Sequence, residues 1–314
     1  MKKNFKYVGL TAGLSFTIAL AACGGGGSDD SEEQESGSEG GESSEESAGG
    51  NIGEEMDYTI TGIDAGAGVM AAAEQSIEDY GLDDWSLQSS SDAAMTSALD
   101  EAISNEEPIV ITGWNPHWMF SVHDLKYLED PEGSFGEAED IHTIAREGLE
   151  EDAPEAYEVL DNFQWEGEQM EEVMLEIYNG AEPEEAARTW VDENEDVVSA
   201  WTEGVEEVDG EPLSLAFVAW DSEIASTNVV AQVLMDQGYE VETTPMEANI
   251  MFQAVAQGEQ DAMVAAWLPA THEQYFSDYE DQFTDLGANL EGARIGLVVP
   301  EYVEAESIED LASE

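Results

Sequence analysis

Pro108-Ile109-Val110-Ile111-Thr112-Gly113-Trp114-Asn115-Pro116-His117 and Asp261-Ala262-Met263-Val264-Ala265-Ala266-Trp267-Leu268-Pro269-Ala270-Thr271-His272 follow one plan. Each is a near-continuous apolar run that reaches a Trp, then a Pro two residues on, then a His. Short apolar runs without polar alternation suit strands buried on both faces, as parallel α/β sheets require. Working back from the first run, Ala93 to Ser104 reads as a helix, Trp85 to Gln88 as a short strand, Gly68 to Tyr80 as a helix and Tyr58 to Ile63 as a strand. Behind the second run lie helix Glu247 to Gln257, strand Tyr239 to Thr243, helix Ala225 to Gln237 and strand Leu213 to Ala219. Regions 57–120 and 213–276 are thus two strand–helix–strand–helix–strand units, and the fold class is α/β with two lobes.

Between the units, residues 153–205 read as helical, with Trp165, Trp190 and Trp201 expected in interhelix packing. Ile295 to Pro300 reads as a last strand, and Ser307 to Leu311 as a short helix that returns to the first lobe. The expected division is 57–148 plus about 303–314 for lobe I and 149–302 for lobe II.

In parallel sheets, ligands bind beyond the carboxyl ends of the strands. Trp114, Trp220 and Trp267 all stand where an apolar strand leaves its sheet, so facing lobes would bring them to one cleft. Packing at a lobe edge is the plainer reading for any one of them. Three indoles together suit a quaternary ammonium, which has no N–H to donate and is held by cation–π attraction and apolar contact. Asp64-Ala65-Gly66-Ala67-Gly68-Val69-Met70 links a strand to a helix, and the free amides of such a helix start suit an anion. No Gly-Lys-Ser/Thr follows and no Lys or Arg is near, so a carboxylate fits better than a pyrophosphate. His272 could donate to that carboxylate.

Composition narrows the partners. The chain has 314 residues, with 74 acidic and 7 basic side chains and a formal charge of −67. Nucleic acid is excluded, since phosphate binding needs Lys and Arg to release counterions. Docking of the folded part on an anionic membrane is disfavoured for the same reason. Lys2, Lys3 and Lys6, the apolar stretch Val8 to Leu20 and then Ala21-Ala22-Cys23 read as a secretion signal over residues 1–23. Cys23 is the only cysteine, so no intramolecular disulfide is possible. Residues 24–56, nearly all Gly, Ser, Glu and Asp, read as a disordered tether. Eleven of the acidic residues fall there. The rest share the folded part with only Lys126, Arg146, Arg188 and Arg294. Such self-repulsion is relieved at molar salt, where the screening length is about 3 Å, so a strongly saline exterior is expected.

Four stretches carry a family resemblance: Ile63 to Met70, Ile111 to Trp118, Val218 to Ser226 and Ala266 to His272. With Tyr127 to Pro131 and Ile141 to Arg146, they resemble the glycine betaine-binding lipoproteins of osmoprotectant ABC importers, in the same order from about residue 57 to 312. The resemblance implies a type II periplasmic-binding-protein fold with the ligand between the lobes. It implies a box of Trp114, Trp220 and Trp267 around the trimethylammonium group. It also implies that the amides of Gly68 and Val69, with the side chain of His272, hold the carboxylate. Val69 stands where the family often has Ile, and Phe252 follows Met251 where relatives often have Trp. Cys23 would carry the lipid that anchors the protein at the extracytoplasmic face of the cell membrane, and the pore and ATPase would be separate chains.

Other classes fit less well. No Gly-x-Ser-x-Gly or His-Glu-x-x-His motif supports an enzyme, and His117 reads as a structural or lip residue. Acidic runs such as Glu206-Glu207-Val208-Asp209 lack the spacing of a Ca²⁺ loop, so neither metal nor cofactor is expected. Within the class, carnitine, proline betaine and ectoine are alternative solutes.

Overall fold

The computed structural model describes residues 52–312. The signal stretch with Cys23, and the tether as far as Asn51, lie outside the described residues. The first half comprises α1 (Ile52–Glu55), β1 (Thr59–Thr61), α2 (Gly68–Asp79), β2 (Ser86–Gln88), α3 (Asp92–Asn105), β3 (Val110–Asn115), α4 (Met119–Val122) and β4 (Leu125–Tyr127). Then come β5 (Glu139–Arg146) and the helices α5 (Leu149–Asp152), α6 (Pro154–Asn162), α7 (Gly167–Tyr178), α8 (Pro183–Glu193) and α9 (Glu195–Trp201). The chain continues through β6 (Pro212–Phe217), α10 (Asp221–Asp236), β7 (Glu240–Pro245), α11 (Ala248–Ala256), β8 (Ala262–Leu268), α12 (Glu273–Tyr279) and β9 (Phe283–Pro300). A 3₁₀ turn, Ile308–Leu311, closes it.

The repeat read from sequence reappears as topology. β1 pairs in parallel with β2 and β3, and β6 in parallel with β7 and β8. Each half then takes one antiparallel strand beside its third, β9 against β3 and β5 against β8. The orders β2-β1-β3-β9 and β7-β6-β8-β5 are the same pattern, joined where β5 pairs with β9. This is the expected two-lobed α/β fold of type II order. Both site strands also end in a cis X-Pro bond, Asn115-Pro116 and Leu268-Pro269.

Two boundaries differ from expectation. The tether was expected to run to Met56, but Ile52 packs on the core and Met56 is buried in it. The two lie four residues apart across α1, and a composition average hides so short an amphipathic pair. The lobe limits also move. β5 already belongs to the second half through Ile141↔Trp267 and its neighbours, so the first crossing precedes residue 139 rather than 149. The second crossing lies inside β9, whose first part pairs with β5 and whose end pairs with β3 and β4. The sequence reading starts this strand only at Ile295, and the stretch before it carries Gly287 and Gly292. Both have positive φ and lie in a segment whose pairing with β5 is irregular, and glycine tolerates that backbone at little steric cost.

The core of the second lobe forms around α10, against which α7 and α8 pack. Trp165, Trp190 and Trp201 lie together as expected: Trp165 meets Trp190 edge-on at 5.7 Å, and Trp190 stacks on Trp201 at 6.0 Å. Each of the four cations beyond the tether is engaged. Lys126 pairs with Glu306, Arg146 with Asp152 and Asp261, and Arg188 with Asp192 and Asp236, while Arg294 lies 3.6 Å over the Tyr127 ring. No helix among the described residues is long and apolar enough to cross a membrane.

Candidate ligand-binding cleft

Trp114 and Trp267 each lie one residue before the end of their strands, β3 and β8, and Trp220 is the N-cap of α10, just beyond β6. All three indoles are buried, at 4, 3 and 6 % exposure. They line one cavity together with Gly68, Val69 and His272. The structure therefore brings all six residues singled out in the sequence to the same place, with Gly68, Val69 and Trp114 from the first lobe and the others from the second. Ser222 and Thr271, with the apolar Ile63, Ala67 and Ile295, complete the wall and were missed. Nothing in their residue types marks them.

Gly68 opens α2, so its amide and that of Val69 fall in the first turn, where the helix itself supplies no acceptor. A side chain at Gly68 is impossible at this lobe separation. A Cβ there would clash with the backbone oxygen of Thr271 in the other lobe. The missing side chain lets the second lobe close over the helix start.

His272 is fully buried. Its Nδ1 accepts the Trp267 backbone N–H at 3.0 Å, which places the ring proton on Nε2. Burial lowers the imidazole pKa to about 4, so the ring is neutral at neutral pH. Nε2 has no partner among the described residues. A buried N–H left without an acceptor costs about 1–3 kcal/mol, and a carboxylate in the cavity would satisfy it. The loop that carries His272 is fixed by Glu139, which accepts from the amides of Ala270 and Thr271 and from the Thr271 hydroxyl. Sequence reasoning missed Glu139, one carboxylate among many.

The indoles are held differently from one another. Trp220 Nε1 donates to Asp64 Oδ2 at 3.1 Å, a bond between the lobes. Trp267 Nε1 donates to Glu223 Oε1 at 3.0 Å, and Trp114 Nε1 has no partner among the described residues. Trp220 also stacks with His272, centroids 6.2 Å apart and planes 22° from parallel.

Beside the cavity lies a second polar group that spans the lobes. His117 is completely buried, edge-on to Trp114 at 4.8 Å, and is not a lip residue. The Asp221 amide donates to Asp92 Oδ2 at 2.8 Å, Trp118 Nε1 donates to Asp221 Oδ2, and Trp118 stacks on Tyr178 at 3.9 Å. Asp92, His117 and Asp221 are metal-ligand types, with one atom of each within 4.8 Å of the others. The tautomer of His117 does not suit a metal there. His117 Nδ1 accepts from the Met119 amide at 3.2 Å, so Nε2 carries a hydrogen toward the two carboxylates and offers no lone pair.

A family described as the substrate-binding domain of ABC-type glycine betaine transport systems matches residues 43–193 and 211–314. The chain is 57% identical over 264 residues to the glycine betaine/carnitine transport binding protein GbuC of Listeria monocytogenes, covering 83% of this chain and 88% of that one. Among solved structures, lactococcal OpuAC, closed with glycine betaine, is 54% identical over 47% of this chain and 58% of that chain, with a TM-score of 0.46. The glycine betaine/L-proline-binding protein ProX of Borrelia burgdorferi is 36% identical over 48% and 58%, also with a TM-score of 0.46. The matched residues span both lobes and every residue of the cavity, and the chain belongs to the family of substrate-binding domains of ABC-type glycine betaine transport systems.

Proposed function

We propose that this chain is an extracytoplasmic receptor that binds glycine betaine between its lobes and delivers it to the permease of an ABC importer for osmoprotection. The trimethylammonium group sits among Trp114, Trp220 and Trp267. The carboxylate accepts from the Gly68 and Val69 amides and from His272 Nε2–H. One observation carries the reading: indoles from both lobes and an unpartnered, neutral, buried imidazole N–H line a single cavity. That pairing of an apolar cation box with an anion donor matches a zwitterion and suits neither a simple cation nor a simple anion.

Magnitudes agree with a divided task. Three cation–π contacts at about 0.5–2 kcal/mol each supply roughly 1.5–6 kcal/mol, whereas micromolar binding needs about 8. Carboxylate hydrogen bonds and lobe closure supply the remainder. Choline, with the same head and no carboxylate, should bind far more weakly. Carnitine is the second reading, favoured by the name of the Listeria relative. Titration calorimetry with glycine betaine, carnitine, proline betaine, ectoine and choline decides. The expected result is tightest binding of glycine betaine and no chemical change in the recovered solute. Heat from ectoine but none from any betaine would overturn the reading, and turnover would overturn the class.

Cys23 carries the lipid anchor in this proposal, the tether gives the lobes reach, and membrane-embedded permease and cytoplasmic ATPase chains complete the importer. Replacing Cys23 by Ser should release the protein from the membrane fraction. Retention of the variant there would contradict the anchor. The acidic surface matches a strongly saline exterior.

A further inference from the structure

Glu223 stands in the first turn of α10 and is 1 % exposed. One carboxylate oxygen accepts the Trp267 indole N–H at 3.0 Å, and the other has no partner among the described residues. No cation among the described residues compensates it. Lys126, Arg146, Arg188 and Arg294 are engaged elsewhere, and His272, the histidine of the cavity, is neutral. Burial pushes the Glu223 pKa up to about 8, with the Trp267 bond opposing, as expected for a carboxylate without a counter-charge.

Holding an indole N–H requires an acceptor oxygen, not a charge, and the amide of a glutamine would serve. A buried acid is the costlier choice unless something balances it. Without ligand the acid is therefore mostly protonated at neutral pH. Because the side chain it touches lines the cavity, a cation held there would favour its ionised form and balance the charge. A carboxylate on the indole N–H also polarises the ring toward a more negative face, which strengthens attraction to a cation across it.

We propose that Glu223 is the counter-charge of the quaternary ammonium, acting through Trp267, and makes the cleft prefer a cationic head over a neutral head of the same shape. It is a positioning residue, since its effect passes through the indole. The inference rests on the betaine reading above and deepens it.

The test compares glycine betaine with 3,3-dimethylbutanoate, its isostere with carbon in place of nitrogen, on wild type and on Glu223→Gln, which keeps the acceptor. Glu223→Gln should weaken glycine betaine at least about tenfold and leave 3,3-dimethylbutanoate unchanged or tighter. The preference of wild type for the cationic head should shrink by that factor. Equal losses for both ligands would reduce Glu223 to a structural prop, and unchanged glycine betaine affinity would remove its role. Without ligand, Glu223→Gln should melt no lower than wild type, because a pKa of about 8 leaves Glu223 mostly protonated at neutral pH and the amide oxygen still accepts the Trp267 indole N–H. A variant that melts several degrees lower, or fails to fold, overturns the inference. Wild type that binds neither compound refutes the betaine reading itself, a result distinct from wild type binding glycine betaine and the variant binding it equally well.

Discussion

Trp267 serves the cleft twice, through its ring and through the backbone amide that sets the His272 tautomer. Trp267→Ala removes only the ring, so it should weaken glycine betaine by at least roughly tenfold, the loss of about 1.4 kcal/mol, with His272 still able to donate. Calorimetry checks this, and an unchanged affinity would contradict the box. His272 itself leaves a signature in stability. Its pKa is about 4 in the folded protein, against an ordinary 6.5. Below about pH 6.5 the unfolded chain takes up a proton that the folded ring refuses until about pH 4. Folding therefore loses stability as pH falls through that window, on the order of 3 kcal/mol in all. The stability advantage of wild type over His272→Gln should shrink by about that amount from pH 6.5 to 4 in denaturant titrations; a constant difference would place the imidazole in contact with water. At this scale the sequence was legible where residue type alone is informative. Three tryptophans at strand ends and a histidine after the last of them stand out in any chain. Glu139, Asp64 and Glu223 do not, because a carboxylate that props a loop or an indole has the same letter as one on the surface.

Gly68 and Thr271 bring α2 of one lobe against the loop after β8 of the other. Gly68→Ala should block full closure, since the new Cβ meets a backbone oxygen that cannot swing away. Affinity should fall by about a hundredfold or more, about 2.7 kcal/mol, while the melting temperature of the ligand-free protein changes little. Small-angle scattering with saturating solute would show the variant still open; a closed variant would refute the contact. The helices and parallel strands of both halves were readable because their apolar runs have the period of the element. β5 and the first part of β9 were not. β5 has only Ile141, Ile144 and Ala145 as apolar residues, and the first part of β9 is interrupted by Gly287 and Gly292. The two pair with an irregular register, so their strand character comes from the partner more than from their own residues.

The whole molecule is dominated by its charge. With four cations beyond the tether, each already engaged, most carboxylates there have no cation to pair with. The melting temperature should rise from low to molar NaCl as screening shortens to about 3 Å. A melting point that stays flat or falls would remove the saline expectation. Affinity should change little over the same range, because a zwitterion carries no net charge to be steered. The two-lobed plan was visible in sequence because the chain repeats itself, with Trp, Pro and His placed alike after Ile111 and after Ala266. Where the chain crosses between lobes was not, since β9 serves both halves in one unbroken strand. The central claim is the pose of the solute, and a crystal structure with glycine betaine bound tests it most directly. The nitrogen should lie within about 6 Å of the ring centroids of Trp114, Trp220 and Trp267, with a carboxylate oxygen in hydrogen-bond reach of His272 Nε2 and the Gly68 and Val69 amides. A solute bound outside these rings, or reversed with its carboxylate among them, would contradict the account.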